Sequence, residues 1–242
     1  IRDSLYTGAL FGFMNIYLKQ AEELRPEYAA VAFDVKAPTF RHERYTEYKA
    51  GRKGMPEELA MQFPIVKELI DAMGISRIEL PGYEADDILG TYARIATENH
   101  LICYIMTGDR DALQLVNENV HVLLCSTQKG RPQTDEYDIE TVKQKYGVLP
   151  PQLIDVKALM GDASDNIPGV PGVGEKTASA LISEYGSLDE VYAHVEEIKK
   201  AALQTKLKEN KELAYLSRFL GEIETHAPAE QQLADLRVGS VQ

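Results

Sequence analysis

Residues 77–90 read "RIELPGYEADDILG". "RIEL" is a short apolar strand pattern, "PGY" is turn chemistry, and "ADDILG" opens a helical pattern. At the junction, Glu84, Asp86 and Asp87 crowd into four positions. Charges of one sign at that spacing repel, so the segment predicts a strand–turn–helix unit with something other than capping at its bend.

The same unit recurs on both sides. "YAAVAFD" is an apolar run ending at Asp34. "LICYIMTGD" is another, ending at Asp109 with Asp111 two residues on, and "VHVLLC" is a further strand. Helices are expected over residues 4–24, with Leu5, Leu10, Phe11, Met14, Tyr17 and Leu18 as the apolar stripe, and over residues 57–74, with a short one in "DALQLV". Strands alternating with helices predict an α/β core, a mostly parallel sheet with helices on both faces. A turn-rich span, "STQKGRPQTDEYD", follows, and beyond it the pattern is helical only. The division falls near residue 138, giving an α/β core over 1–138 and a helical region over 139–242 whose polar end caps the surface.

The 242 residues carry a net charge of −12, which on average argues against a nucleic-acid partner. The distribution argues otherwise. Between Lys36 and Lys53, six bases stand against two acids, so the acids concentrate elsewhere. Cys103 and Cys125 lie inside apolar runs and read as core thiols of a reducing compartment. No run is long and apolar enough for a membrane span.

In open α/β sheets, sites form outside the carboxyl ends of the strands. Asp34, then Glu84, Asp86 and Asp87, then Asp109 and Asp111 fall at three such ends. Asp162 and Asp165 stand in "GDASDNIPG" in the helical region. A single acid at a helix start is ordinary, worth about 0.3–1 kcal/mol. The set exceeds what capping needs, and clustered carboxylates raise one another's pKa unless a cation neutralises them. Oxygen donors without a Cys or His cluster favour Mg²⁺ or Mn²⁺ over zinc. Eight carboxylates suit two or more ions, and a pair about 3.5–4 Å apart serves in-line displacement at phosphorus. A phosphodiester is the natural substrate.

Two further stretches fit that substrate. "IPGVPGVGEKTA", residues 167–178, places Gly169, Gly172 and Gly174 before a helix opened by Lys176 and Thr177, so free N–H groups face an anion. "TFRHERYTEYKAGRKGMP", residues 39–56, mixes Arg41, Arg44, Lys49, Arg52 and Lys53 with Tyr45 and Tyr48, cations for phosphate and aromatics for unpaired bases.

"FDVKAPTFRHERYTEYKAGR", "PGYEADDILGT", "TGDRDALQL" and "LMGDASDNIPGVPGVGEKTA", in that order, resemble the 5′-nuclease family of flap endonucleases. Within it, the resemblance is to the 5′→3′ exonuclease domain of bacterial DNA polymerase I type. The resemblance implies a PIN-like core and a helix–three-turn–helix DNA-binding motif over about 155–185. It implies a helical arch over about 38–56 carrying Arg41, Tyr48, Lys49 and Arg52, with Lys49 and Arg52 acting on the scissile phosphate. It implies Asp34, Glu84, Asp86, Asp87, Asp109, Asp111, Asp162 and Asp165 as metal ligands, and a potassium ion at the glycine hairpin. The implied partner is DNA with single-strand/double-strand junctions, such as 5′ flaps and nicks. A covalently linked polymerase domain, a monomeric state and a place at the bacterial nucleoid in the cytoplasm are implied as well.

The family opens with a strand ending in Asp-Gly, whose Asp is also a ligand. This sequence opens with "IRDSLYTG", where no apolar strand precedes Asp3, so the resemblance implies a fragment lacking that strand. The expected function is a metal-dependent, structure-selective 5′ nuclease. A branched-DNA-binding fragment without catalysis and a PIN-type ribonuclease stay open beside it.

Overall fold

The computed structural model describes residues 6–128 and 131–239; Asp3 and Leu5 lie outside the described residues. The chain begins with α1 (Gly8–Leu24), β1 (Ala30–Phe33), α2 (Phe40–Arg44), α3 (Glu57–Ala60), α4 (Phe63–Ala72) and β2 (Ser76–Glu79). It continues with α5 (Ala85–Glu98), β3 (Cys103–Thr107), a 3-10 turn (Arg110–Leu115), β4 (Val120–Gln128) and β5 (Arg131–Tyr137). Helices follow: α6 (Ile139–Tyr146), α7 (Leu153–Met160), α8 (Glu175–Tyr185), α9 (Leu188–Ala193), α10 (Ala201–Glu209) and α11 (Lys211–Gly221).

The strands expected from the apolar runs are present, but they form two sheets rather than one. β1 and β2 pair in parallel, and β3, β4 and β5 form a second sheet. α5 packs against strands of both, so the two sheets share one covering helix. The turn-rich span is a strand instead: β5 runs antiparallel to β4, from Val122 opposite Tyr137 to Gln128 opposite Arg131. Its Pro132 and polar residues are edge-strand features, which read as turn chemistry in a linear sequence.

Three helical expectations change. The inward-facing stripe of α1 is Leu10, Phe13 and Tyr17, half-buried against Phe33, Val66 and Ile70, while Phe11 and Leu18 are exposed. The expected helix over 57–74 is broken into α3 and α4, because Pro64 has no N–H to continue a helix from α3. The break frees the Gln62 carboxamide, which accepts hydrogen bonds from Ala9 N (2.9 Å) and Leu10 N (3.1 Å) and so caps α1. The expected helical arch has only the five residues of α2, followed by turns as far as Gly51.

β3–β5 and α6 enclose one core, centred on Val120, Val122, Leu113 and Val142. The helices after it enclose another, centred on Leu159, Ile182, Leu188 and Leu207. The final segment closes the molecule: Leu236 joins Ile78 and Ile88 in a small core, Ala29 N donates to Leu236 O (2.8 Å), and Val238 N donates to Glu27 O (2.9 Å). Segment 221–227 is laced to α5. Arg94 Nε donates to Thr225 O (2.8 Å), and Ala227 N donates to Thr91 Oγ1 (3.0 Å).

The lacing depends on Gly90. A Cβ there would stand 2.7 Å from Ile223 Cγ2 and 3.1 Å from Glu224 O. Gly90→Ala gains about 1 kcal/mol of helix propensity yet drives this segment off α5. A net loss of about 1–2 kcal/mol is expected in urea denaturation; a stabilised variant would show that the close approach is not a constraint.

Candidate metal centre and nucleic-acid interface

Asp34 follows β1 directly, Asp109 and Asp111 follow β3, and Glu84 is the N-cap of α5 with Asp86 and Asp87 in its first turn. Strand ends and a helix start therefore bring acids from three sequence segments to one place. Their charges all act on Asp86. Burial first, then Asp109, Asp111, Asp34 and Glu84, push the Asp86 carboxyl up to about 7. Asp86 makes no side-chain hydrogen bond or ion pair among the described residues, while its neighbours each have one. Asp34 Oδ1 accepts from Ala85 N (2.8 Å), Asp109 Oδ1 from Asp111 N (2.9 Å), and Glu84 Oε1 from Lys49 Nζ (2.6 Å).

Asp162 and Asp165 come from the loop between α7 and α8. Backbones there touch without side chains between them: a Cβ on Gly161 would lie 2.6 Å from Ile167 O, and one on Gly169 2.3 Å from Gly161 N. Both glycines have positive φ, and Asp162 and Ile167 exchange two backbone hydrogen bonds (2.9 and 2.8 Å). The pinned loop sets Asp162 and Asp165 beside Asp111, with one ligand atom from each within 4.8 Å of the others. Asp111 thus belongs to two groups, one around Asp86 and one with Asp162 and Asp165. The donors are carboxylate oxygens alone, which fits a hard divalent cation. A small cavity of about 20 Å³ is walled by Glu84, Asp86, Asp109, Asp111 and Asp165, and Asp109 and Asp111 also border a cleft of about 730 Å³.

Asp87 stands apart. It is 0% exposed and grips Arg41, itself 2% exposed, through two 2.8 Å bonds. Asp87 Oδ2 also accepts from Glu84 N (2.9 Å) and Oδ1 from Glu224 N (2.9 Å). Arg41 also donates to Leu220 O (3.0 Å) and Glu222 O (2.5 Å) and lies 3.5 Å from Glu84 Oε2. Burial works against the Arg41 charge, and the Asp87 carboxylate overrides it, so its pKa stands above the ordinary value. Asp87 is enclosed by donors, and Arg41 is withdrawn from solvent. Together they tie α2, α5 and the end of α11. Tyr48 is likewise buried, packed with Ile167 and Leu220, and its hydroxyl donates to Glu84 Oε2 (3.1 Å), so its ring face is not open to a base.

Lys49 and Arg52 do reach the cluster. Lys49 adopts positive φ, held by its N–H on Asp165 O (2.9 Å), and a non-glycine residue in that conformation is held by its surroundings. Arg52 Nε donates to Asp165 Oδ1 (2.9 Å), with its Nη2 on the same oxygen. Lys53, next in sequence, is exposed. On the hairpin, Gly172, Gly174, Lys176 and Thr177 are exposed at the start of α8, whereas Gly169 is buried in the loop contact.

Three contributors carried no signal in the sequence pattern. Gln114 bridges to Gly221 O (3.0 Å) and Ile223 N (2.9 Å), and so fixes the segment after α11 beside the acids. That segment lies more than a hundred residues from the carboxylates it borders. Lys157, on α7, donates to both Asp111 oxygens (2.5 and 2.6 Å) and to Asp162 Oδ2 (2.9 Å). Burial pulls the Asp162 pKa up, but hydrogen bonds from Ser164 and Lys157 outweigh it and hold it at about 2.

Comparison with known proteins gives a consistent picture. A family model described as 5′-3′ exonuclease, N-terminal resolvase-like domain, matches residues 2–147, and one described as 5′-3′ exonuclease, C-terminal SAM fold, matches residues 148–242. DNA polymerase I of Caldicellulosiruptor bescii is 45% identical over 235 residues, 97% of this chain and 28% of the relative. DNA polymerase I of Bacillus subtilis is 44% identical over 232 residues, 96% of this chain and 26% of the relative. The chain thus spans 28% and 26% of the length of these curated relatives. Among solved structures, T5 5′-exonuclease with bound zinc superposes with TM-score 0.74 at 22% identity, covering 93% of this chain and 84% of that one. The catalytic core of Rad2 in complex with DNA superposes with TM-score 0.62 at 18% identity, covering 99% and 76%. At these identities the two structures show a shared fold.

Two outcomes follow from the charges. Arg41→Met leaves Asp87 buried without its counter-ion and is expected to cost roughly 3–5 kcal/mol in urea denaturation; a loss under about 1 kcal/mol would show that the pair is not structural. With a folded-state pKa of about 7 against the ordinary 3.8, Asp86 keeps its proton longer in the native state than in the unfolded chain. Its cost to folding is absent below about pH 4, grows as pH rises, and is complete above about 7. In EDTA at pH 8, Asp86→Asn is therefore expected to be more stable than wild type in urea denaturation, by on the order of 2–4 kcal/mol, with the gap closing toward pH 4. A gap independent of pH would contradict the arrangement of charges around Asp86.

Proposed function

The chain belongs to the 5′-3′ exonuclease family, and from that we propose that it is a metal-dependent 5′ nuclease hydrolysing DNA phosphodiesters at flaps, nicks and 5′ ends. The observation that carries this reading is the Asp86 carboxyl, without a hydrogen-bond partner among the described residues and pushed up to about 7 by burial and four neighbouring carboxylates. Such a group is stabilised by a cation and by little else the protein offers.

Asp34, Glu84, Asp86, Asp109, Asp111, Asp162 and Asp165 would hold two or more ions, Mg²⁺ or Mn²⁺ by the hardness of the donors. Bound there, divalent ions supply Lewis acidity at the phosphoryl oxygens and acidify a water for attack. The protein groups supply position. Lys49 and Arg52 border the acids and would meet the scissile phosphate, where fixed cations lower the cost of developing charge. Gly172, Gly174, Lys176 and Thr177 would present the start of α8 to the phosphates of a duplex, with a potassium ion bridging. The strand-bearing part would then carry the chemistry and the helical part the duplex grip. The net charge of −12 is compatible with DNA because part of it sits where divalent ions would neutralise it.

A 5′-flap DNA and an RNA of the same sequence, each with Mg²⁺ or EDTA, test the proposal. Cleavage of the DNA in Mg²⁺ only is expected, with Asp109→Asn slower by roughly a hundredfold or more while flap binding persists. Turnover unchanged by Asp109→Asn, or cleavage of RNA in preference to DNA, would refute it.

A further inference from the structure

Lys157 has no part in the chemistry proposed above, yet its ammonium is held close against Asp111 and Asp162. It reaches both Asp111 oxygens at 2.5 and 2.6 Å and Asp162 Oδ2 at 2.9 Å, and is nearly enclosed, with 12% of its side chain exposed. Asp111, Asp162 and Asp165 are also the three acids whose oxygens converge within 4.8 Å. The lysine therefore stands among the oxygens that a divalent ion on this side would use.

We propose that Lys157 is a resident counter-ion of the metal centre, competing with a divalent cation for Asp111 and Asp162, and withdrawing into the adjoining cleft when that cation enters. The inference rests on the metal-centre reading given above and assigns a positioning role to a residue outside the ligand set.

Two features support exchange rather than a permanent bridge. First, Lys157 lines the 730 Å³ cleft, together with Met160, Ser179 and Arg110, so the ammonium has open volume to enter without moving backbone. Second, its stem runs over a glycine. A Cβ on Gly221 would lie 2.9 Å from Lys157 Cδ and 3.4 Å from Cγ. The inward pose of the lysine therefore depends on the bare backbone at the end of α11, which Gln114 holds in place. A cation on a flexible four-carbon stem is suited to such a swing, because it forms no planar bidentate lock. With the lysine inward, the acids stay neutralised and the metal-free fold tolerates them.

Mn²⁺ titration of the protein, followed by the free-ion spin-resonance signal and by melting temperature, tests the exchange. Lys157→Met is expected to melt lower than wild type in EDTA, to bind Mn²⁺ about tenfold tighter or more, and to gain more in melting temperature from Mn²⁺. Lys157→Arg, which keeps the charge, is expected to stay near wild type in affinity. Should Lys157→Met not fold, Gly221→Ala carries the test: it keeps the lysine but displaces its stem, and tighter Mn²⁺ binding is again expected. Unchanged or weaker Mn²⁺ affinity in the folded variants, with wild type binding normally, overturns the inference alone. Absence of Mn²⁺ binding by wild type overturns the metal centre and the inference with it.

Discussion

Mutual repulsion among carboxylates is the constraint to which the rest of this structure answers. Seven acids from four segments converge, and nearly every neighbouring donor is committed to making that tolerable. Backbone N–H groups of Ala85, Asp111 and Ser164 face Asp34, Asp109 and Asp162. Lys49, Arg52 and Lys157 supply positive charge at Glu84, Asp165 and Asp111. Among the described residues Asp86 receives none of this help, and that asymmetry sets it apart from its capped and paired neighbours.

The fold delivers the acids through ordinary devices used together. Strand ends place Asp34 and the Asp109–Asp111 pair, and the N-terminus of α5 receives Glu84 and Asp86, where the helix dipole favours negative charge. The buried Arg41–Asp87 pair then fastens α2, α5 and the segment after α11 into one frame. A buried ion pair contributes little net stability but is costly to break, so it serves as a register mark among elements distant in sequence. The glycine loop between α7 and α8 does the corresponding task for Asp162 and Asp165, by letting two stretches of backbone touch.

Much of this was legible in the sequence. Apolar runs ending in Asp gave the positions of β1 and β3, and "PGYEADDILG" gave the bend before α5, because periodicity and turn chemistry are local. Seven of the eight acids are brought together. What was not legible was long-range. Asp87 and Asp86 are neighbours with the same side chain, yet one points to buried Arg41 and the other to the open cluster, a difference set by helix rotation. Arg41 and Tyr48 read as DNA contacts because they sit in a basic stretch; their burial comes from Leu220 and Ile167, far along the chain. β5 was read as turns because an edge strand has no need of apolar alternation. Lys157 gave no signal, since a lysine late in a helix is ordinary.

The central claim, that these carboxylates form one site for divalent cations, is tested most directly by anomalous diffraction from crystals of the protein grown with Mn²⁺. The account predicts a peak about 2 Å from a carboxylate oxygen of Asp86, with Asp109 or Asp111 as a second ligand. Well-diffracting crystals with no peak at Asp86, or with manganese only at unrelated surface carboxylates, would contradict it.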